Sequence, residues 1–163
     1  LDSLRVADRD SYALLVNMNT IFEEVVERVV SELATERGWV AKAQATSTRL
    51  VTGGHRRIRI RPDVLVSDGE RARLVGDAKW KRDNPAANSR EPSTSDIYQL
   101  VAYQVAHDVP GVLFYPEQAQ ALQSTYEIRD LDSLTLVEVP VKAVDGQSLL
   151  TTIQRRVAAQ LPW

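Results

Sequence analysis

The chain has 163 residues, of which 44% are hydrophobic and 26% charged, a composition that fits one globular domain and excludes a disordered chain. It contains no cysteine and two histidines, which excludes disulfides and thiolate metal sites and disfavours a histidine-rich zinc site. The net charge is −2, and the sequence has neither a signal-peptide pattern nor an apolar run long enough to cross a bilayer.

The charges are distributed unevenly along the chain. Residues 49–82 contain ten lysines and arginines against four acids, a local charge of +6, whereas the remainder carries −8. This segment is a candidate phosphate-binding surface, and a solvated basic hairpin is the alternative. Its candidate nucleic-acid contacts are Arg56, Arg57, Arg59, Arg61, Lys81 and Arg82.

The chain begins with a predicted helix. Apolar residues recur at three-and-four spacing over Ser11–Arg37, and Gly38 is a suitable stop. The next segment, Trp39–Val51, is predicted to be a strand that ends in a turn at Gly53 and Gly54.

A β-hairpin is predicted next. Residues alternate in polarity over Ile58–Val66, which predicts a strand with isoleucines and valines on one face. The opposite face is predicted to hold Arg59, Arg61, Asp63 and Leu65. Asp68-Gly69 predicts a tight turn into a strand from Arg71 to about Lys81.

The second half of the chain is predicted to alternate between strands and helices. Polar residues 82–95 predict a flexible loop, and Ser95 or Asp96 is predicted to cap a helix that ends near His107. Three strands and a closing helix follow, at Gly111–Tyr115, Tyr126–Ile128, Leu134–Val139 and Asp145–Leu161. This order predicts an α/β fold with a mixed central β-sheet flanked by helices, in a single domain over residues 1–163.

Two acids and a lysine stand out in the predicted hairpin. Asp77 and Lys79 are two residues apart on a strand, so their side chains leave the same face, and the hairpin can bring Asp63 beside them. Two carboxylates near an ammonium group are suited to hold Mg²⁺, which would polarise a phosphate and activate water. Lys79 could position or deprotonate that water or stabilise developing charge. A plain cross-strand salt bridge is the alternative.

Three further residues are predicted to face this site. Glu23 lies at the border of the apolar stripe of the first helix, where it can reach inward as a third carboxylate. Gln99 and Tyr103 are four residues apart, so they share one face of the next helix and could orient water or a phosphate. An ordinary surface glutamate and a half-buried packing pair are the respective alternatives.

These residues resemble a known family. Pro62-Asp63 followed by Asp77-Ala78-Lys79 resembles the core motif of the PD-(D/E)xK nuclease superfamily, and Gln99 to Tyr103 resembles the QxxxY element of its RecB-like members. More narrowly, blocks spread over residues 18–116 together resemble the nuclease domain of McrC, the cleavage subunit of McrBC modification-dependent restriction systems.

The resemblance implies a restriction-endonuclease-like fold and cleavage of double-stranded DNA. It implies that Asp63 and Asp77 hold Mg²⁺, for which Mn²⁺ could substitute, with the Ala78 carbonyl and Glu23 as further ligands. Lys79 would be the catalytic lysine, and Gln99 and Tyr103 would shape the site.

The resemblance also implies the setting in which the chain works. Its partner would be an McrB-like AAA+ GTPase in a prokaryotic cytoplasm, and the chain would be part of, or excised from, a longer McrC-like protein. A homodimer would serve double-strand cleavage if each copy cuts one strand. Two alternatives stay open: a silent DNA-binding or motor-docking module, and another superfamily nuclease such as a repair exonuclease or junction resolvase.

Overall fold

The structure is a computed structural model. It describes residues 2–45, 50–51, 53, 58–81, 91–119, 121–122, 125–144 and 146–163, with side chains from Met18 onward. Within this part of the chain, three helices and six strands follow one another as α1 (Asp2–Thr35), β1 (Val40–Ala43), β2 (Val64–Asp68), β3 (Arg71–Ala78), α2 (Thr94–His107), β4 (Gly111–Pro116), β5 (Thr125–Tyr126), β6 (Leu134–Val139) and α3 (Leu149–Ala158). No helix in the described ranges is long and apolar enough to cross a membrane.

The described strands form one mixed sheet in the order β1-β2-β3-β4-β6-β5. Strand β2 pairs antiparallel with β1 and with β3. Strand β4 lies parallel to β3 and to β6, and β5 pairs antiparallel with β6. Helices α1 and α3 pack on one face of the sheet and α2 on the other, so the central strands are buried on both sides. The predicted α/β fold with a mixed central sheet is confirmed.

A β-bulge in the β2–β3 hairpin sets which residues face each other. The turn at Gly69, whose φ is 59°, pairs Asp68 with Arg71, but an irregularity between Val66 and Ser67 shifts all later pairs by one residue. Val64 consequently pairs with Gly76, and the side chain of the preceding Asp63 reaches the end of β3, where its Oδ2 accepts from the Ala78 N–H. Without the bulge Asp63 would face Gly76 and its partner side chains would change face, so the bulge aligns the two acids.

Several predicted boundaries in the first half are wrong. Helix α1 begins at Asp2 and not at Ser11, because residues 2–17 contain no glycine or proline to interrupt it. The first strand ends at Ala43 and does not reach Val51, because Gln44 has a left-handed φ of 46°. Gly53 has a positive φ, and Gly54 lies outside the described residues.

The predicted strand over Ile58–Val66 is also shorter in the structure. It begins at Val64, because Pro62 cannot donate to a ladder and the chain bends at Asp63. Ile60 packs on the α2 face, whereas Val64 packs on the α1 face, so the prediction that they share a face is wrong. Leu65 and Ile60 were predicted on opposite faces, but both pack on the α2 face.

The later elements differ from prediction only at their ends. Ser93, not Ser95 or Asp96, caps α2, and Ser148 caps α3, which begins at Leu149 instead of Asp145. Strand β3 ends at Ala78, three residues before Lys81, and β5 ends at Tyr126. Strands β4 and β6 lie where the sequence predicts them. Of the predicted loop over residues 82–95, residues 82–90 lie outside the described part.

Candidate active site

The candidate site lies where β3 ends. Beyond the buried core of this strand, successive side chains alternate between the two faces of the sheet. Trp80 turns toward α1 and contacts Phe22, with 5.5 Å between ring centroids. Lys79 and Lys81 turn the other way and contact side chains of α2. The end of β3 therefore presents its charged side chains to α2.

Asp63 and Asp77 form the acidic part of the site. The backbone N–H of Ala78 donates to Asp63 Oδ2 at 2.8 Å, which fixes the first carboxylate across the hairpin. Asp77 is 2% exposed, and it lies within electrostatic range of the Asp63 carboxylate. Burial, and then the negative charge of Asp63, raise the pKa of Asp77 to about 6, although Lys79 offsets part of the rise.

Lys79 links the acids to α2. Its ammonium group forms an ion pair with Asp77 and donates to Gln99 Oε1 at 2.9 Å. Burial alone would lower the pKa of Lys79, but the hydrogen bond and charge of Asp77 outweigh burial and raise it. The lysine is therefore protonated at neutral pH when no metal is bound. The predicted common face of Asp77 and Lys79 is confirmed.

A chain of hydrogen bonds continues from Lys79 through the helix. Gln99 Nε2 donates to Tyr103 OH at 2.7 Å, and Tyr103 OH donates to the Arg61 carbonyl at 3.1 Å. The tyrosine is buried, and burial together with the charge of Asp77 raises its pKa. One turn of α2 thus connects the lysine to the segment that precedes Asp63, which agrees with the prediction that Gln99 and Tyr103 face the site.

Glu23 approaches the site from α1. Partial burial and the negative charge of Asp63 raise the pKa of Glu23, while Lys79 and Arg61 oppose that rise. The glutamate therefore lies within electrostatic range of the acid pair. Its role as a metal ligand stays a prediction.

A second acid–lysine pair lies beside the first, and the sequence reasoning did not place it in the site. Lys81 Nζ donates to Asp96 Oδ2 at 2.6 Å and to Ser93 Oγ at 3.2 Å, and Tyr115 OH donates to Asp96 Oδ2 at 2.8 Å. Asp96 is 4% exposed. The spacing of Ser93 and Asp96, typical of a capping box, was a signal for the start of α2 but not for a buried ion pair.

The basic residues predicted to contact nucleic acid are only partly described. Arg59 and Arg61 are exposed, and Arg61 donates to Gln44 Oε1. Lys81 is 47% exposed at its side chain. Arg56, Arg57 and Arg82 lie outside the described residues.

The acid pair fits Mg²⁺ better than a metal with a full set of protein ligands. Among the described residues, no group of three acids or histidines could by itself hold a metal ion. Mg²⁺ is commonly bound by one or two carboxylates and completes its shell with water and substrate phosphates. Burial, and then the neighbouring Asp63 carboxylate, raise the pKa of Asp77, and a divalent cation would stabilise such a carboxylate.

Comparison with known proteins points to one family. The sequence matches the family described as McrBC 5-methylcytosine restriction system component over residues 4–116, more than half of the chain. No curated protein matches it. A chain in the refined half-complex of a tetradecameric assembly of Thermococcus gammatolerans McrB AAA+ hexamers with bound McrC shares its fold, with a TM-score of 0.64 and 18% identity. The match covers 88% of this chain and 33% of that one.

Proposed function

Because the chain belongs to the McrBC 5-methylcytosine restriction system component family, we propose that it is the Mg²⁺-dependent endonuclease of a McrBC-like system. The observation that carries the proposal is the buried Asp77 carboxylate, which forms an ion pair with Lys79 and whose pKa is raised by burial and by the charge of Asp63. The arrangement agrees with the PD-(D/E)xK motif in the sequence. The reaction would be hydrolysis of a phosphodiester bond in double-stranded DNA.

Asp63 and Asp77 would hold the metal, with the Ala78 carbonyl and Glu23 as further ligands. When bound, Mg²⁺ would supply polarisation of the scissile phosphate and a nucleophilic water at neutral pH. The bond from the Ala78 N–H to Asp63 leaves the remaining oxygen of that carboxylate for the metal. Glu23, whose pKa responds to the charge of Asp63, would act directly or through water.

Lys79 would stabilise negative charge on the phosphate in the transition state. Lys79 is protonated at neutral pH before a metal binds, and an ammonium group is suited to donate hydrogen bonds to a phosphate. Gln99 holds the ammonium group from the α2 side, and Tyr103 holds Gln99. These contacts would keep the lysine directed at the phosphate instead of folding back entirely onto Asp77.

The proposed partners are double-stranded DNA and an McrB-like AAA+ GTPase. Arg59, Arg61 and Lys81 are exposed and would contact phosphates, together with Arg56, Arg57 and Arg82. The GTPase partner is proposed from the family and from the similar fold seen in the McrB assembly with bound McrC. In a homodimer the second copy would cut the second DNA strand. Mn²⁺ would be able to substitute for Mg²⁺ as the cofactor.

Cleavage of methylated and unmethylated plasmid tests this proposal. The chain is incubated with Mg²⁺, with or without an McrB-like GTPase and GTP, beside Asp77→Ala, Lys79→Ala and the control Asp68→Ala. Asp68 lies in an exposed ion pair with Arg73 at the hairpin turn, so its loss should leave cleavage unchanged. We expect both site variants to cleave DNA roughly 100-fold more slowly than the wild type, or slower still.

Wild-type cleavage by both site variants would overturn the assignment of the site. Failure of the wild-type chain to cut under every condition, with DNA binding retained and no Mg²⁺ binding by calorimetry, would overturn the proposed activity in favour of a silent module. End-labelled linear, circular and branched substrates would separate an endonuclease from an exonuclease or a junction resolvase.

A further inference from the structure

Two polar cross-links join the end of β3 to α2. In the first, Lys79 Nζ donates to Gln99 Oε1 at 2.9 Å; in the second, Lys81 Nζ donates to Asp96 Oδ2 at 2.6 Å. The lysines are two residues apart just after β3, and their partners are three apart on the helix, so the links lie side by side. Any shift of α2 along the strand end would disturb both links together.

Asp96 is the most constrained member of this set. It is 4% exposed, and its Oδ2 accepts from Lys81 and also from Tyr115 OH, which lies on the neighbouring strand β4. Its backbone N–H donates to the capping Ser93. One carboxylate therefore connects the start of α2, the segment after β3 and the end of β4.

Burial explains why this carboxylate dictates geometry. An exposed lysine–acid pair contributes little to stability, because water replaces either partner. The Lys81 side chain is 47% exposed, so the constraint on this pair comes from the buried Asp96. A buried carboxylate is costly unless its donors stay in place, so Asp96 holds them. The free energy of satisfying Asp96 thus fixes where α2 begins relative to residues 79–81.

We propose that Asp96 is a positioning residue of the site: by holding Lys81 and Tyr115 it fixes α2 so that Gln99 stays bonded to Lys79. It would touch neither substrate nor metal. Its effect on turnover rests on the proposed nuclease function, but its effect on the Gln99–Lys79 bond does not. A carboxylate that only capped and stabilised α2 would contribute to folding without setting that bond.

Nuclear magnetic resonance of the side-chain amide of Gln99 tests the positioning directly. The variants are Asp96→Asn, which removes the charge at constant size, and Asp68→Asn, the same change in the exposed pair with Arg73, also at 2.6 Å. In Asp96→Asn we expect the Gln99 amide signals to move toward those of solvent-exposed glutamines. In Asp68→Asn they should stay unchanged.

Steady-state cleavage provides the second measurement. We expect Asp96→Asn to lower kcat roughly tenfold with a smaller change in KM, because a displaced catalytic group lowers turnover more than binding. Asp96→Glu should recover part of the loss. If Asp96 acts through Lys81, its substitution in a Lys81→Met background should lower kcat less than it does in the wild type.

The outcomes separate this inference from the proposed function. A shifted Gln99 signal in a chain whose wild type never cuts DNA supports positioning and contradicts the nuclease activity. Cleavage by the wild type, with kcat and Gln99 signals unchanged in Asp96→Asn, overturns the positioning role and leaves the activity standing. If Asp96→Asn does not fold, Lys81→Met removes the same link from the exposed side, and an unchanged Gln99 signal there overturns the role.

Discussion

Asp77 and Asp96 lie near each other and each contacts a lysine, yet their environments shift the pKa of the two carboxyls in opposite directions. Both carboxylates are almost fully buried, and each forms an ion pair with a lysine that follows β3. The pKa of Asp77 is raised to about 6, by burial and by the Asp63 carboxylate. Burial also acts to raise the pKa of Asp96, but hydrogen bonds from Lys81, Tyr115 and Ser93 outweigh it and lower the pKa.

The difference lies in what surrounds each carboxylate. Asp96 receives several donors, so its negative charge is already stabilised by the fold. Asp77 adjoins a second acid and shares its lysine with Gln99, so its charge is stabilised incompletely. A satisfied buried pair is suited to hold elements together, whereas an incompletely stabilised one is suited to receive a cation.

The largest expected effect is on the pH dependence of stability. Raising the pKa of Asp77 from 3.8 to about 6 gives stability that is present below pH 3.8 and lost as the pH rises through 6, up to about 3 kcal/mol. In metal-free buffer, Asp77→Asn should therefore gain stability relative to the wild type between pH 4 and 7. Urea unfolding at each pH measures this gain.

Asp96→Asn should show the opposite trend in the same experiment. A carboxyl whose pKa is lowered contributes stability above its unfolded pKa, and that stability is lost as the pH falls through the folded value. The variant should be roughly 1 to 3 kcal/mol less stable than the wild type at pH 7 and approach it in acid. Parallel pH profiles for the two variants would contradict the distinction between the sites.

The sequence predicted much of the arrangement around Asp77 but not the burial of Asp96. Period-two spacing placed Asp77 and Lys79 on one face, and helical spacing placed Gln99 beside Tyr103, because both depend on local geometry. The Asp68-Gly69 turn was also a local signal. These predictions agree with the contacts in the structure.

The parts that the sequence did not reveal depend on contacts between distant residues. The bulge between Val66 and Ser67, which aligns Asp63 with Asp77, has no turn residue to mark it. Asp96 was interpreted as a helix cap, since its burial depends on Tyr115 across the sheet. Polarity alternation likewise did not show that the chain changes face between Ile60 and Val64.

Magnesium should distinguish the two aspartates at a smaller scale. A ligand at ten times its Kd stabilises the native state by about 1.4 kcal/mol. We expect this gain for the wild type and for Asp96→Asn, but not for Asp77→Asn, in thermal unfolding with and without MgCl₂ at constant ionic strength. Equal stabilisation of both variants would mean that the ion binds elsewhere.

The smallest expected effect comes from the serine caps of α2 and α3, which form a matched pair. Ser93 and Ser148 have nearly the same backbone angles, and each side chain accepts from the N–H three residues on. Replacing either by alanine should lower the unfolding free energy by about 1 kcal/mol. Only Ser93 also accepts from Lys81 Nζ, at 3.2 Å, and so belongs to the network around Asp96.

Comparison of the two cap variants therefore separates helix stability from positioning. Ser93→Ala should slow cleavage by roughly two- to threefold, since it loosens one of the contacts that hold Lys81, each worth about 1 kcal/mol or less. Ser148→Ala should cut at the wild-type rate despite an equal loss of stability. Equal slowing by both variants would mean that general loosening of the fold controls turnover, and that the polar contacts around Asp96 add nothing to it.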